Sequence, residues 1–205
     1  MSKTPLLVAV GLLAAVAAGG SAWWLTRPAD ARFAECSKSS VAGATIGGPF
    51  TLVSETGGTV TSEDVLTKPS LVYFGYTFCP DVCPTDSARN AEALDLLQER
   101  GYDAQAVFVS IDPERDTVER VREFTGYFHD DMIGLTGSAE QVAAASKAYK
   151  TFYAKQPGDD EYYLMDHSTF TYLVLPEEGF VHFFRRDDTP EGIAKTMACF
   201  VDAAG

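Results

Sequence analysis

Basic residues are scarce in this 205-residue chain: 16 Lys and Arg stand against 29 Asp and Glu, for a formal net charge of −13. No run of Lys or Arg interleaved with aromatics occurs, so a nucleic-acid interface has no electrostatic footprint here. The acidity reads as a solvated surface that keeps the chain soluble. Internal repeats and low-complexity tracts are absent as well. Histidine and cysteine are few, three and four residues. A four-coordinate structural zinc site therefore lacks enough neighbouring ligands.

What is present divides into three parts. Residues 5–25 carry no ionisable side chain and end in Trp23 and Trp24. A helix needs roughly 20 apolar residues to cross a bilayer core, and Trp favours its interface. We expect a single-pass anchor in the inner (cytoplasmic) membrane, with the N-terminus in the cytoplasm and the remainder in the periplasm. A cleaved signal peptide is the competing reading; it suits the small residues at 18–22, but the apolar stretch is long for one. On either reading the bulk of the chain is exported. Residues 26–45 lack periodicity and read as a linker, leaving one domain over 46–205.

In that domain strands and helices alternate. Leu71 to Phe78 and Ala106 to Ile111 are near-continuous apolar runs, the pattern of strands buried on both faces. A short strand over Ile46–Val53 precedes a Gly57-Gly58 turn, and another is expected at Met132–Leu135. Helices are predicted from Pro84 to Arg100 with Gly101 as C-cap, from an Asp116–Glu119 capping box, from Ser138 and from Thr189-Pro190. Thr169–Leu175 and Phe180–Phe184 form a hairpin around residues 176–179. Alternating βα units closed by a hairpin and a helix predict a three-layer α/β fold, an arrangement similar to thioredoxin-like proteins.

Cys79-Pro80-Asp81-Val82-Cys83-Pro84 follows the first buried strand, at the carboxyl end where ligands collect in open α/β sheets. Pro84 suits a first helical turn, so Cys79 to Cys83 is expected as a stiff loop ahead of the helix, near its positive dipole end. That setting favours thiolate, the form that binds metal or attacks a disulfide. A plain Cys79–Cys83 disulfide would close too short a loop to stabilise much. The pair is C-x-x-x-C rather than the redox C-x-x-C, and the wider spacing lets both sulfurs reach one ion. His167 taken alone reads as a bystander. In a thioredoxin-like fold its loop would lie against the cysteine loop, where a proline is usual; none occurs between Pro157 and Pro176. Two thiolates with an imidazole suit copper, as Cu(I) or Cu(II). Asp166 and Asp81 are candidates to orient the ring. Met165, His129 and His182 read as packing or surface residues.

Three motifs, Thr77–Pro84 (TFCPDVCP), Ser110–Thr117 (SIDPERDT) and Tyr163–Ser168 (YLMDHS), resemble the Sco/SenC family from about Ile46 to the C-terminus. The resemblance implies a membrane-anchored, thioredoxin-like protein that helps build the dinuclear copper site of cytochrome c oxidase. Its copper ligands match Cys79, Cys83 and His167, holding one copper ion per chain. Asp112 and Pro113 match an acidic loop that shapes the site. The implied partners are the copper-binding subunit of the oxidase and other periplasmic copper carriers. A copper metallochaperone is the first function expected. A thiol–disulfide reductase keeping the oxidase's cysteines reduced, and a redox or copper sensor, share the same residues and stay open; a peroxidase reading is weaker. Cys36 and Cys199 are expected to pair in a disulfide, as an even cysteine count in an exported chain invites.

Overall fold

The computed structural model describes residues 32–36, 45–158 and 162–205. The expected anchor at 5–25 and most of the linker lie outside these residues. Among the described residues no helix is long and apolar enough to cross a membrane. Residues 32–36 form a short turn in which Cys36 N donates to Phe33 O at 3.0 Å.

The domain is built on a seven-stranded sheet in the order β2-β1-β5-β4-β3-β8-β9. Its strands are β1 (Thr51–Ser54), β2 (Thr59–Thr61), β3 (Ser70–Gly75), β4 (Gln105–Ser110), β5 (Met132–Thr136), β8 (Thr171–Leu175) and β9 (Gly179–Phe184). β3, β4 and β5 are parallel neighbours, and the rest of the sheet pairs antiparallel. Every residue of β3 and β4 is buried, the mainly apolar centre of each strand together with Ser70, Gln105 and Ser110 at the ends.

Side-chain alternation along β3 separates two helical layers. Tyr73 faces the layer of α2 (Val82–Gln98) and α3 (Val118–Phe128), where it meets Phe108 and, through it, Phe124. Phe74 faces the other way, onto Tyr149 at the end of α4 (Ala139–Ala148). The one-turn α1 (Ser62–Val65) and the C-terminal α5 (Pro190–Ala204), which packs along α2, complete the helices described. The three-layer, thioredoxin-like α/β fold is the one expected.

Several boundaries differ from expectation for local reasons. β1 starts at Thr51, five residues after Ile46, because Gly47 and Gly48 sit at positive φ. β3 ends at Gly75; Tyr76–Phe78 leave the sheet because Thr77 bonds to Asp116 instead of a strand. α2 begins at Val82, so Cys83 lies in the helix and not in a loop before it. Pro84 is then the third helical residue, still within the first turn, whose N–H groups have no helical acceptor. Gly101 closes α2 at φ 84°, with Tyr102 N bonded to Leu97 O. At α3 Thr117 caps alone, accepting from Arg120 N: the third helical position is Arg, so no capping box forms, and Asp116 turns inward. Ser138 and Gln141 do form the reciprocal box.

A second sheet of two short strands, β6 (Tyr153–Lys155) and β7 (Met165–His167), forms where the sequence shows no strand periodicity. It moves His167 from a loop onto a strand, opposite Tyr153.

Candidate metal centre

The site forms where β3 gives way to α2. Gly75 is the last strand residue, and a Cβ there would stand 3.0 Å from Cys83 Sγ, 2.8 Å from the Tyr73 ring and 3.0 Å from that of Phe108. Only glycine lets Cys83 seat against the strand. A lone glycine in a buried strand is the sequence signal of such an approach. From there Cys79 N returns to Tyr76 O at 3.3 Å, and Cys79 Sγ accepts from Cys83 N at 3.3 Å, at the start of the helix. Both thiols are free and buried, Cys83 completely. Cys36 and Cys199 are each disulfide-bonded.

His167 arrives from β7. Its Nδ1 is 2.9 Å from Ser168 O and its Nε2 is 3.4 Å from Cys83 Sγ. An Nδ1–H donated to that carbonyl leaves the Nε2 lone pair toward the sulfurs. The Tyr73 and Tyr76 rings stand edge-on to the imidazole at 6.2 and 5.8 Å between centroids and fix its plane. Neither aspartate proposed to orient the ring does so. Asp166 points to the opposite face of β7 and accepts from Gln156 Nε2 at 2.6 Å, while Asp81 caps α2 without a side-chain bond.

One sulfur, the second sulfur and the imidazole nitrogen all lie within 4.8 Å of one another. The dithiol is electrically asymmetric. The hydrogen bond from Cys83 holds the Cys79 thiol far below its ordinary range, against burial and with help from His167 and the amides of Cys83 and Asp81. Burial, reinforced by that same partner, pushes Cys83 up. The pair thus shares one proton, held on Cys83 and directed at the Cys79 thiolate. A soft cation replacing that proton would meet two sulfurs and a nitrogen, a donor set that fits copper.

The Ser110–Thr117 segment braces both halves of the site. Asp116 accepts from Thr77 N (3.1 Å), Thr77 Oγ1 (2.6 Å) and Ser110 Oγ (2.6 Å), holding the cysteine loop. Asp112 accepts from Tyr163 Oη at 2.6 Å and from Arg115 Nε at 2.6 Å. Arg115 also donates to Tyr163 O at 2.9 Å, holding the segment that leads into β7. Tyr76 Oη accepts from Met165 N at 3.3 Å. Met165 itself packs against the core. His129 bonds Asp131 N and faces Asp95, and His182 stacks between Phe183 and Phe200.

Fold and site together define a thioredoxin-like domain with a Cys–Cys–His centre at the carboxyl end of β3. The chain belongs to the SCO1/SenC family, which it matches over residues 38–202. It is 53% identical to Protein SenC of Rhodobacter capsulatus over 204 residues, covering 98% of this chain and 92% of that protein. Among solved structures it is similar to Arabidopsis thaliana ScoI with copper bound (TM-score 0.74, 39% identity, 77% of this chain and 98% of that one). Bradyrhizobium japonicum ScoI with copper bound gives a TM-score of 0.68 at 37% identity, over 75% and 98% of the two chains.

Proposed function

We propose that this protein is a copper metallochaperone that carries one copper ion on Cys79, Cys83 and His167 to the dinuclear copper site of cytochrome c oxidase. The observation that carries this reading is the convergence of three soft or borderline ligand atoms within 4.8 Å, on two thiols left free while the other two cysteines are disulfide-bonded. Similar chains hold copper in their solved structures. Partners are the copper-binding subunit of the oxidase and the periplasmic carriers that supply the ion. Titrating the reduced chain with copper should give one ion per chain and a thiolate-to-copper charge-transfer band that Cys79→Ser or Cys83→Ser abolishes. Failure of the reduced protein to bind would sink the reading.

The asymmetry of the dithiol favours a second reading, a thiol–disulfide reductase for the oxidase's copper-ligand cysteines. The Cys79 thiolate attacks one sulfur of the target disulfide and releases the other as thiolate. Cys83 gives up its proton and attacks Cys79, freeing the second target thiol and leaving a Cys79–Cys83 disulfide, so two electrons pass to the target. His167→Ala separates the two roles: a chaperone loses oxidase assembly, a reductase keeps it. A sensor would bind copper yet leave assembly intact when its partner is removed.

Residues 5–25 serve as the anchor in the inner membrane, with the domain in the periplasm; the uncharged run ending in two tryptophans supports this. Protease added to spheroplasts should degrade the domain, and a protected domain would refute the topology.

A further inference from the structure

The chain carries 29 acidic against 16 basic residues, yet from Gln141 to Gly158 it has three lysines and no Asp or Glu. This stretch runs off the end of α4 into β6, the strand that pairs with the one bearing His167. Lys147 and Lys150 are exposed, and among the described residues neither side chain has an ion pair or a hydrogen bond. Lys155 stands apart, since Glu114 lies 3.9 Å from its Nζ. Lys150 holds the left-handed position that ends α4, at φ 55°, with its N–H on Lys147 O and the Thr151 N–H on Ser146 O. Glycine suits that turn, and Lys150 is the one non-glycine residue described with positive φ. A lysine held where glycine is easier points to use of its charge. Phe152 follows, 61% exposed. Its N–H donates to Ser168 Oγ at 3.0 Å and its carbonyl accepts from Ser168 N at 2.9 Å, so it sits against the residue next to His167. Alternation along the strand turns its ring away from Tyr153, which packs on the core. Asp166, the carboxylate on the same outward face, accepts from Gln156 Nε2.

We propose that Lys147, Lys150 and Phe152 form the docking surface for the protein that exchanges copper or electrons at the centre, and that this partner presents carboxylates around an apolar contact. The inference rests on the delivery reading above and names the chemistry of its partner. At a net charge of −13 the chain as a whole repels an acidic protein. Screening confines such effects to about 8–10 Å at ordinary salt. At close range the lysine pair therefore decides, and an acidic partner is drawn in only where they stand, beside β7. Phe152 supplies the aromatic contact that the buried core of an interface favours. An anionic lipid surface would also meet two lysines and a phenyl ring. The protein partner is favoured because the patch is hydrogen-bonded to the residue next to His167, where a bilayer has no reaction to serve.

The test follows copper passing from the loaded full-length chain, held in phosphatidylcholine nanodiscs, to the copper-binding subunit of the oxidase. Wild-type transfer should slow as salt rises. Lys147→Glu combined with Lys150→Glu should cut the low-salt rate roughly tenfold or more and remove the salt dependence, while copper affinity in chelator competition stays at the wild-type value. Phe152→Ser should slow transfer alike at every salt concentration, because an apolar contact is not screened. Wild-type transfer indifferent to salt, or a lysine variant with the wild-type rate and salt dependence, would overturn the inference. So would protection of Lys147 and Lys150 from acetylation in nanodiscs of phosphatidylcholine and phosphatidylglycerol in equal parts, but not in phosphatidylcholine alone, with no partner added. The face would then belong to the lipid surface. A wild type that passes no copper refutes delivery, and the same variants are then read by reduction of the subunit's oxidised cysteines. Reduction indifferent to salt and to both lysines overturns the docking surface as well. Should the glutamate variant fold poorly, Lys147→Gln with Lys150→Gln reads the same loss at smaller amplitude.

Discussion

Thr77 donates its hydroxyl to Asp116 across 2.6 Å, and its backbone N–H bonds the same carboxylate. This relationship bends the chain out of β3 and delivers Cys79 to the end of α2. Asp116 is fully buried, and burial raises its pKa despite the donors around it.

Asp116→Ala orphans the Thr77 and Ser110 donors in the interior, and each buried unsatisfied group costs about 1–3 kcal/mol. The variant should melt well below wild type and lose copper affinity together. A stable variant with intact copper binding would show that the loop needs no such brace.

Gly75→Ala tests the close approach at the strand end. The added methyl would stand 3.0 Å from Cys83 Sγ. Overpacking of this kind destabilises by about 1–3 kcal/mol. Because Cys83 is what must move, copper affinity should drop more than stability; equal affinity in chelator competition would contradict the geometry.

Alkylation should distinguish the two thiols in the metal-free chain. Cys79, held as thiolate, should react with iodoacetamide at a rate nearly flat from pH 8 down to pH 6, whereas Cys83 stays unmodified. Peptide mass spectrometry showing Cys83 modified first would reverse the assignment.

His182 should make stability fall in acid. Burial first of all depresses its pKa in the folded state, against Asp188. The unfolded chain therefore binds the proton more tightly, so the contribution is complete above the unfolded pKa near 6.5 and is lost as pH falls through the folded value. His182→Phe should reduce the drop in melting temperature between pH 7 and pH 5, and an unchanged drop would assign it elsewhere.

The order of the βα units and the cysteine corner were legible in the sequence, because β3 and β4 are near-continuous apolar runs and Pro84 marks a helix start. The first helical residue was not: Pro84 is tolerated anywhere in the first turn, so it could not place Cys83 inside the helix. The β6–β7 pair was hidden by its length, three residues a strand, too short for any periodicity to register. His167 is brought beside Cys79 and Cys83, a juxtaposition expected from its place in the fold and the family resemblance. The Asp166 orientation failed because adjacency in sequence is opposition on a strand; the carbonyl of Ser168 holds the ring instead. Gly75 and Asp116 act through contacts made only on folding, between residues 8 and 39 positions apart.

Among the described residues, the strand that bears His167 pairs only with β6 and contributes no rung to the seven-stranded ladder. Two of the three candidate ligands are therefore mounted on the frame and the third on an outrigger, tethered by Tyr76, Asp112 and Arg115. None of those tethers is a hydrogen bond of the main sheet. The placement of the imidazole is thus set by loop and side-chain contacts distinct from the pairing that builds the main sheet.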